Sequence, residues 1–216
     1  MNKAHKITLV ADSKAIVYLK TKDRRIAWRI DKIGYIECSY HDNQYDFVIE
    51  EIIGQMLSNK VAAIITKRLI GLCNGDVTPN HVKALSYEQL RLIGLSNSKT
   101  NYIQIFTDAV LNCDINLAEL DSYDDQEVIQ RLTAIRGIGP WTAKMYLLFD
   151  LQRLDILPTE DAAFLQAYKW LYDLDEISKQ DLSPKCSIWS PYSSIAARYL
   201  YRALDSGLTK IERYEE

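Results

Sequence analysis

The sequence predicts an all-α protein, and two observations support this. Only eight glycines and five prolines occur in 216 residues, so few segments contain helix-breaking residues. Apolar residues recur at intervals of three and four over long segments, which is the period of an amphipathic helix. The composition, with 48% hydrophobic and 25% charged residues, is typical of a globular protein. A chain of this length can bury a substantial core, as one domain or as two intimate lobes.

Two helices are predicted near the N-terminus, over residues 13–19 and 23–33, where apolar residues fall at helical spacing. Gly34 ends the second helix, because glycine readily adopts the left-handed conformation that follows a helix. Residues 1–13 show no clear pattern, and we expect them to be loosely determined.

Five helices are predicted over residues 47–111, after a polar loop at residues 40–44. Polar residues of the kind that cap helix N-termini mark most of their starts. The predicted caps are Ser58, Thr78 and Ser86. Gln89 follows Ser86 at the spacing of a capping box, and Gly94 ends that helix.

A helix, a tight turn and a second helix are predicted over residues 122–151. The first helix runs from Ser122, its predicted N-cap, to Ile135. Gly137-Ile138-Gly139-Pro140 cannot lie inside a helix, and Pro140 suits the first turn of the next one. Main-chain N–H groups near Gly139 would lie at a helix N-terminus, where a phosphate binds well. The alternative is an ordinary αα-hairpin with glycine in its turn.

The last third of the chain contains two more predicted helix starts. Asp161 follows Pro158 and begins a helix rich in aromatic residues, for which aspartate is a favourable N-cap. A final helix begins after Trp189-Ser190-Pro191-Tyr192 and ends near Gly207.

Composition excludes several classes of protein. The cysteines at positions 38, 73, 113 and 186 form no CxxC pair, which argues against a zinc site or a disulfide framework. The three histidines are scattered and suggest neither a metal site nor a catalytic triad. No apolar run has the length of a membrane span, and the N-terminus lacks a signal-peptide core. We therefore expect an intracellular protein.

The charge is unevenly distributed along the chain. The formal net charge of −3 argues mildly against non-specific binding of nucleic acid. Residues 1–32 nevertheless hold nine Lys or Arg against three Asp, whereas residues 114–130 hold six acids and no base. A surface without the acidic segment can therefore still be positive.

The hairpin and its neighbours resemble the helix-hairpin-helix DNA glycosylases, a superfamily that excises damaged bases. Residues 132–143 (LTAIRGIGPWTA) are similar to the hairpin of that superfamily. Residues 157–161 (LPTED) are similar to its Pro-x-Asp-Asp segment, whose second acid is catalytic, and Glu160 replaces the first acid.

Three further segments match in the same order. Residues 54–58 (GQMLS) are similar to a Gly-Gln-x-Leu-Ser turn, and Gly94 to Tyr102 to a Gly-Leu-Ser…Lys…Tyr segment. Residues 189–197 resemble Trp-x-Pro-Tyr-Arg-Ser-x-Ala-Ala, except that Ser193 stands where arginine is common. The resemblance covers roughly residues 20–206. It indicates the 3-methyladenine DNA glycosylase II branch, in a short form without the N-terminal β domain.

The resemblance implies a single domain of two helical lobes with a DNA-binding cleft between them. The middle lobe would comprise about residues 45–150 and contain the helix-hairpin-helix of residues 122–151. The other lobe would comprise about residues 14–40 and 152–210. Double-stranded DNA with damaged bases is the implied partner, and we expect a monomer.

The resemblance also implies a set of DNA-binding residues. These are Gly137, Gly139, Gln55, Met56, Ser58 and Lys99. Met56 would fill the gap that an extracted base leaves in the duplex, and the alternative is a core methionine at a helix end. Lys99 lies near a helix start, against the helix-dipole preference, which suggests an anionic partner. The alternative is a solvated lysine.

Asp161 is the implied catalytic residue. Breaking an N-glycosidic bond develops positive charge on the sugar, which a nearby carboxylate stabilises while it orients or deprotonates water. The alternative is that Asp161 only caps its helix. The two roles are compatible, because a helix N-terminus favours negative charge.

Trp141 and Tyr192 are the implied substrate-base pocket. A base that leaves the duplex is commonly bound between aromatic faces. Four other aromatic residues are interpreted as core: Trp28, Tyr146, Trp170 and Trp189. Alkylated purines are cationic and are good leaving groups, so an electron-rich pocket removes them with little acid catalysis.

Cofactor predictions follow from the same resemblance. The four closely spaced cysteines that hold an iron–sulfur cluster in some relatives are absent, so we expect no cluster. The backbone carbonyls of Thr133, Ile135 and Ile138 are a predicted site for a monovalent cation.

The reaction type rests on the residue after the hairpin. Relatives that also cut the strand have a lysine there, which attacks the sugar, whereas this chain has Trp141 two positions after Gly139. Lys144 is the nearest lysine and is interpreted as solvated. The sequence thus predicts a monofunctional glycosylase for alkylated purines. The alternatives are a glycosylase for deaminated or oxidised purines and a non-catalytic DNA-binding protein.

Overall fold

Helices dominate the structure, a computed structural model that describes residues 6–9, 13–39, 43–178, 182 and 186–210. The prediction of an all-α fold is confirmed. In chain order the described α-helices are α1 (Lys14–Lys22), α2 (Arg24–Ile33), α3 (Gln44–Gly54), α4 (Asn59–Leu72), α5 (Pro79–Lys83), α6 (Tyr87–Leu92), α7 (Asn97–Leu111), α8 (Asp125–Thr133), α9 (Pro140–Met145), α10 (Ala162–Tyr172) and α11 (Ser193–Asp205).

Shorter helical turns connect some of these helices. Three-residue-per-turn helices span Leu117–Ser122, Ser187–Trp189 and Leu208–Lys210. A π-helical turn, Tyr146–Asp150, continues directly from α9. None of the helices in the described ranges combines the length and the apolar character that crossing a membrane requires.

The chain divides into two compact units. Residues 41–151 form one, here called the central unit, and residues 1–40 with 152–216 form the other, here called the terminal unit.

The core of the central unit forms around α3. Phe47, Val48 and Ile52 on this helix are at most 4% exposed, and Phe106 of α7 is fully buried. The buried hydroxyl of Tyr45 is 2.7 Å from that of Thr107, so the polar group that enters this core has a partner.

The core of the terminal unit contains a buried carboxylate and several aromatic rings. Asp23 caps α2, because its Oδ1 accepts hydrogen bonds from the N–H groups of Arg25 and Ile26. Its Oδ2 accepts from Trp189 Nε1 at 2.8 Å and from the hydroxyl of Tyr172. These bonds satisfy a buried charge that would otherwise destabilise the fold.

The aromatic core prediction is confirmed for two residues and wrong in part for two others. Tyr146 and Trp189 are fully buried. Trp28 and Trp170 are only half-buried, because each covers one side of the buried Arg29 guanidinium, whose carbon lies 3.9 Å from both ring centroids.

Most of the predicted helix caps are confirmed. Ser58 Oγ accepts from Val61 N, Thr78 Oγ1 from His81 N, and Ser86 with Gln89 forms a complete capping box. Gly34 ends α2 at φ +75°.

Ser122 is not the N-cap of the helix before the hairpin. Ser122 ends the preceding turn, where its Oγ donates to Glu119 O at 2.7 Å, and Asp124 caps α8 by accepting from Glu127 N at 2.8 Å. Aspartate caps as well as serine does, and it adds a favourable charge at the helix start. The helix also ends at Thr133, two residues earlier than predicted.

Two predictions near the N-terminus also need correction. Lys6–Leu9 lies in the segment predicted to be loosely determined, yet it forms a strand, antiparallel to Ile36–Ser39. The rest of that segment, residues 1–5 and 10–12, lies outside the described residues. Gln44, predicted to be loop, begins α3 because Asn43 caps this helix, and residues 40–42 are likewise not described.

Candidate functional site

The two hairpin glycines have different structural reasons to be glycine. Gly137 has φ +102°, and a Cβ there would lie 2.3 Å from the ring of Tyr102. Both the backbone conformation and the packing therefore exclude a side chain. Gly139 has an extended conformation (φ −100°, ψ 176°), and a Cβ there would meet no atom within 4 Å. The open space beside Gly139 is available to a partner.

Gly139 is also the N-cap of α9, and Pro140 occupies the first helical position. The helix and the π-helical turn together run from Pro140 to Asp150. The N–H groups of the first turn have no acceptor within the helix and point outward at its start. The hairpin thus presents main-chain donors beside an open glycine surface.

Gln55 ties the turn after α3 to the hairpin. Its Nε2 donates to the carbonyl of Gly137 at 3.0 Å and is 3.3 Å from Thr142 Oγ1. In this structure the amide therefore acts within the protein, as a brace between two loops, and a contact of Gln55 with DNA stays a prediction.

Met56 projects from the braced turn. Its side chain is fully exposed, at 101% of the reference area, and its φ is +56°. Positive φ is uncommon for a residue other than glycine, and such conformations cluster at functional sites. The alternative of a core methionine at a helix end is wrong, because a core residue would be buried.

Ser58 and Lys99 both make contacts within the central unit. Ser58 caps α4, as described above. Lys99 Nζ donates to the carbonyl of Ile53 at 2.8 Å, at the C-terminal end of α3. Burial lowers the pKa of Lys99. A lysine at a helix C-terminus is stabilising, which explains its position without DNA. Contact of either residue with phosphate stays a prediction.

The predicted cation site lies in the same hairpin. The carbonyl of Ile135 accepts the N–H of Ile138 at 3.0 Å and keeps one lone pair for a second partner. The Thr133 hydroxyl donates to Ile129 O at 2.7 Å. The predicted ligand from Thr133 is its main-chain carbonyl, not this hydroxyl. Neutral carbonyl oxygens of this kind suit a hard cation, and binding there stays a prediction.

Trp141 and Lys144 occupy the first and second turns of α9, and both are half-buried. Between them lie Thr142 and Ala143, which are at most 1% exposed and hold the helix against the core. Trp141 therefore lies close to the hairpin glycines on a rigid element.

Asp161 lies in the terminal unit, at the start of α10. Its Oδ1 accepts the N–H of Phe164 at 2.7 Å, and its own N–H donates to Pro158 O at 3.0 Å. The predicted capping role of Asp161 is confirmed. This hydrogen bond fixes the direction of the carboxylate, and the residue is half-buried, not fully enclosed.

Tyr192 is positioned by residues that the sequence did not indicate. The ring of Tyr18 packs edge-on against Tyr192 at 5.3 Å, and the Tyr18 hydroxyl donates to Ser190 O at 2.5 Å. The peptide bond between Ser190 and Pro191 is cis. No local sequence signal links Tyr18 to this turn, because the contact spans more than 170 residues.

Asp155 holds the other side of the Tyr192 turn. Its Oδ1 accepts from Ser193 Oγ at 2.5 Å and Ser193 N at 3.2 Å, and its Oδ2 from Ser190 Oγ at 2.5 Å. Ser193 is 5% exposed. The serine in place of the arginine common in the resembled family therefore has a defined role, as part of the start of α11.

The candidate residues thus divide between the two units. The central unit contains the hairpin, the Gln55–Ser58 turn, Lys99 and Trp141, and the terminal unit contains Asp161 and Tyr192. Among the described residues no group of three or more His, Cys, Asp or Glu side chains could hold a metal ion.

Comparison with known proteins assigns a family to this arrangement. Residues 49–191 match the family described as HhH-GPD superfamily base excision DNA repair protein. The chain belongs to this superfamily. The match spans the Gln55–Ser58 turn, the hairpin and Asp161, so the resemblance and the DNA repair assignment drawn from the sequence are confirmed.

Individual relatives and solved structures that are similar to this chain include 3-methyladenine DNA glycosylases. DNA-3-methyladenine glycosylase 1 of Schizosaccharomyces pombe is 30% identical over 162 residues, which cover 73% of this chain and 71% of the relative. The crystal structure of a Bacillus halodurans DNA-3-methyladenine glycosidase is similar with a TM-score of 0.80 and 31% identity, covering 94% of each chain. The S. pombe 3-methyladenine DNA glycosylase Mag1 in complex with abasic DNA is similar with a TM-score of 0.82 and 27% identity. That likeness covers 94% of this chain and all of Mag1.

Proposed function

We propose that the protein is a monofunctional DNA glycosylase that hydrolyses the N-glycosidic bond of alkylated purines and leaves an abasic site. The observation that carries this proposal is the Asp161 carboxylate, which is fixed by Phe164 N at the start of α10 and is not fully enclosed. It lies in the segment that resembles the catalytic segment of the family. The relatives named as 3-methyladenine glycosylases support the choice of substrate.

In this proposal Asp161 supplies the chemistry. As the bond between base and sugar breaks, positive charge develops on the deoxyribose, and the carboxylate stabilises it. The same group orients or deprotonates the attacking water. One Asp161 oxygen is committed to Phe164, so the carboxylate cannot rotate freely and its geometry is set before substrate binds.

The central unit supplies DNA binding and base extraction. The main-chain donors near Gly139 bind a phosphate, and the exposed Met56 enters the duplex where the base has left. The positive φ of Met56 supports this role, because the Gln55 brace holds an apolar side chain in solvent where nothing in its own unit covers it. Trp141 and Tyr192 each offer an aromatic face to the flipped, cationic base.

A direct assay of base release tests the proposal. The protein is incubated with duplex DNA methylated at purine N3 and N7, and free bases are separated by chromatography. Undamaged duplex and the Asp161→Asn variant serve as controls. We expect the wild type to release 3-methyladenine and 7-methylguanine and the variant to release neither.

Other outcomes would assign one of the remaining functions. Release of deaminated or oxidised purines in place of methylated ones would identify a glycosylase for another lesion. Tight binding to the same duplexes without release of any base would identify a non-catalytic DNA-binding protein.

A further inference from the structure

Helix α4 exposes a row of apolar side chains. Leu57, just before the helix, and Val61 and Ile64 within it are 37%, 42% and 45% exposed. Val61 and Ile64 are three residues apart and therefore lie side by side on the helix surface, and Leu57 comes just before the N-cap Ser58. We call these three residues the α4 stripe. The flank of the helix beside Val61 is packed against the protein, because Ile65 and Leu69 are at most 5% exposed.

The α4 stripe continues from Met56. Leu57 follows Met56 directly, so four apolar side chains extend from the tip of the turn along the first two turns of α4. Water is an unfavourable neighbour for such a row, and contiguous exposed apolar surface commonly marks a binding site.

The charge along the chain segment that carries the α4 stripe is of one sign. Residues 52–75 contain no aspartate or glutamate, whereas Lys60 and Lys67 lie in α4 and are exposed. At 100° per residue the two lysines fall within 20° of each other, on one flank of the stripe. Arg68 also lies here, but its Nη1 donates to Ile93 O at 3.0 Å.

We infer that the α4 stripe and its two lysines bind the DNA duplex beside the damaged nucleotide. In this arrangement Leu57, Val61 and Ile64 lie against deoxyriboses of the minor groove, and Lys60 and Lys67 contact phosphates of one strand. The inference rests on the proposed function, because the insertion of Met56 brings the helix to the duplex.

The dimensions of the site fit this partner. Lys60 and Lys67 both lie within α4 and are separated by a rise of about 10 Å at 1.5 Å per residue. This length corresponds to about three base-pair steps of 3.4 Å. A polyanion is favoured over a protein surface because 24 consecutive residues carry positive charge and no negative charge.

Two double variants of full-length protein separate the apolar and ionic parts. Val61→Ser with Ile64→Ser removes the apolar surface, and Lys60→Gln with Lys67→Gln removes the charges at exposed positions where folding is unaffected. Matched controls in the same unit are Leu111→Ser, 36% exposed at the end of α7, and Lys83→Gln on α5. The probe is a duplex with a stable abasic-site analogue. Its affinity is measured by fluorescence anisotropy at several salt concentrations, with thermal unfolding as the folding check.

The two double variants should change different properties of DNA binding. The lysine variant should lower the slope of log affinity against log salt by up to about 1.8, since each phosphate contact contributes about 0.9. The apolar variant should lose about three- to tenfold in affinity with an unchanged slope, because sugar contacts release no counterions. Both controls should bind as the wild type does. Val61→Leu with Ile64→Leu should retain affinity, because it preserves the apolar surface.

Wild-type affinity and slope in both variants would overturn the inference. If the wild type still binds and still releases methylated bases in that case, the proposed function stands and only the assignment of α4 fails. If the wild type does not bind the duplex at all, the proposed function and this inference fail together.

Discussion

The central and terminal units carry their candidate functional groups in different ways. In the central unit the key features belong to the main chain, namely the open surface beside Gly139 and the positive φ that exposes Met56. In the terminal unit they are side chains at helix starts, Asp161 and Tyr192, fixed by hydrogen bonds and ring contacts. In the proposed function, the central unit would bind DNA by shape and the terminal unit would perform the chemistry. Substitutions in the two units should therefore separate binding from catalysis.

The largest separation should come from Asp161→Asn. The amide has the same shape and its oxygen can still accept from Phe164, but it lacks the charge that stabilises the sugar cation. We expect single-turnover excision to fall by at least about 10²–10³-fold, with affinity for duplex DNA nearly unchanged.

Asp155→Asn is a matched control for this variant, because Asp155 also accepts hydrogen bonds at a helix start in the same unit. Because Asp155 positions the Tyr192 turn, this substitution should slow excision by no more than the roughly tenfold expected for Tyr192→Ala, well short of the loss in Asp161→Asn. Wild-type excision rates in Asp161→Asn would show that Asp161 only caps α10.

Within the central unit, Gly137→Ala should mainly reduce stability, whereas Gly139→Ala should mainly reduce affinity for DNA. A methyl group at Gly137 overlaps the Tyr102 ring and requires a strained backbone, so the free energy of unfolding should fall by about 2–4 kcal/mol. Gly139→Ala should leave stability within about 0.5 kcal/mol. It should weaken binding to damaged and undamaged duplexes alike by about 1–2 kcal/mol, since in the proposed function the hairpin contacts phosphate and no base. Chemical denaturation and duplex affinity measure the two effects. Unchanged affinity in folded Gly139→Ala would remove the hairpin from the DNA interface.

The aromatic residues test whether both units contribute to recognition of the base. Trp141→Ala and Tyr192→Ala should each slow excision of cationic methylated purines by roughly tenfold, in line with about 1–2 kcal/mol for a lost cation–π contact. Excision of a neutral lesion, where it is measurable, should fall less. Equal losses on both lesion types would indicate packing damage in place of cation recognition.

The buried Asp150 of the central unit provides a test of stability, through the pH dependence of the free energy of unfolding. Burial raises the pKa of Asp150 to about 7, more than its hydrogen bond with Gln44 lowers it. The folded state therefore holds this proton more tightly than the unfolded state does. The contribution of Asp150 to the free energy of unfolding should fall as pH rises from about 4 to 7.

Asp150→Asn removes that dependence. Relative to the wild type, the variant should gain stability steadily over this pH range, by up to about 4 kcal/mol in total, since each unit of raised pKa corresponds to about 1.4 kcal/mol. Urea denaturation of both proteins at several pH values measures the difference. A difference that does not vary with pH would show that Asp150 carries no raised pKa.

The last prediction is that the reaction forms no covalent intermediate between the protein and DNA. Borohydride should trap no complex between the protein and lesion-bearing DNA, because Trp141 occupies the position of the nucleophilic lysine in strand-cutting relatives. A trapped complex that disappears in Lys144→Ala would show that a lyase step exists.

The sequence by itself determined the helices, most of their caps and the order of the motifs. Periodicity and capping residues act within a few residues of each other, so they can be recognised without the fold. The hairpin and the segment ending at Asp161 were also evident, because glycines, prolines and a capping aspartate constrain the local backbone. The Ser122 cap was wrong because Asp124, two residues later, can cap equally well, and local propensity does not choose between them.

Only the tertiary structure decided which candidate groups are exposed and which already have partners. Gln55 and Lys99 bond to Gly137 and Ile53, which lie more than 40 residues away in sequence. Tyr18 and Asp155 position the Tyr192 turn through contacts that no local pattern predicts. Exposure of Met56 and the α4 stripe depends on what packs against them, since the same apolar spacing would suit a buried helix. These properties arise from long-range packing, which a pattern of neighbouring residues does not specify.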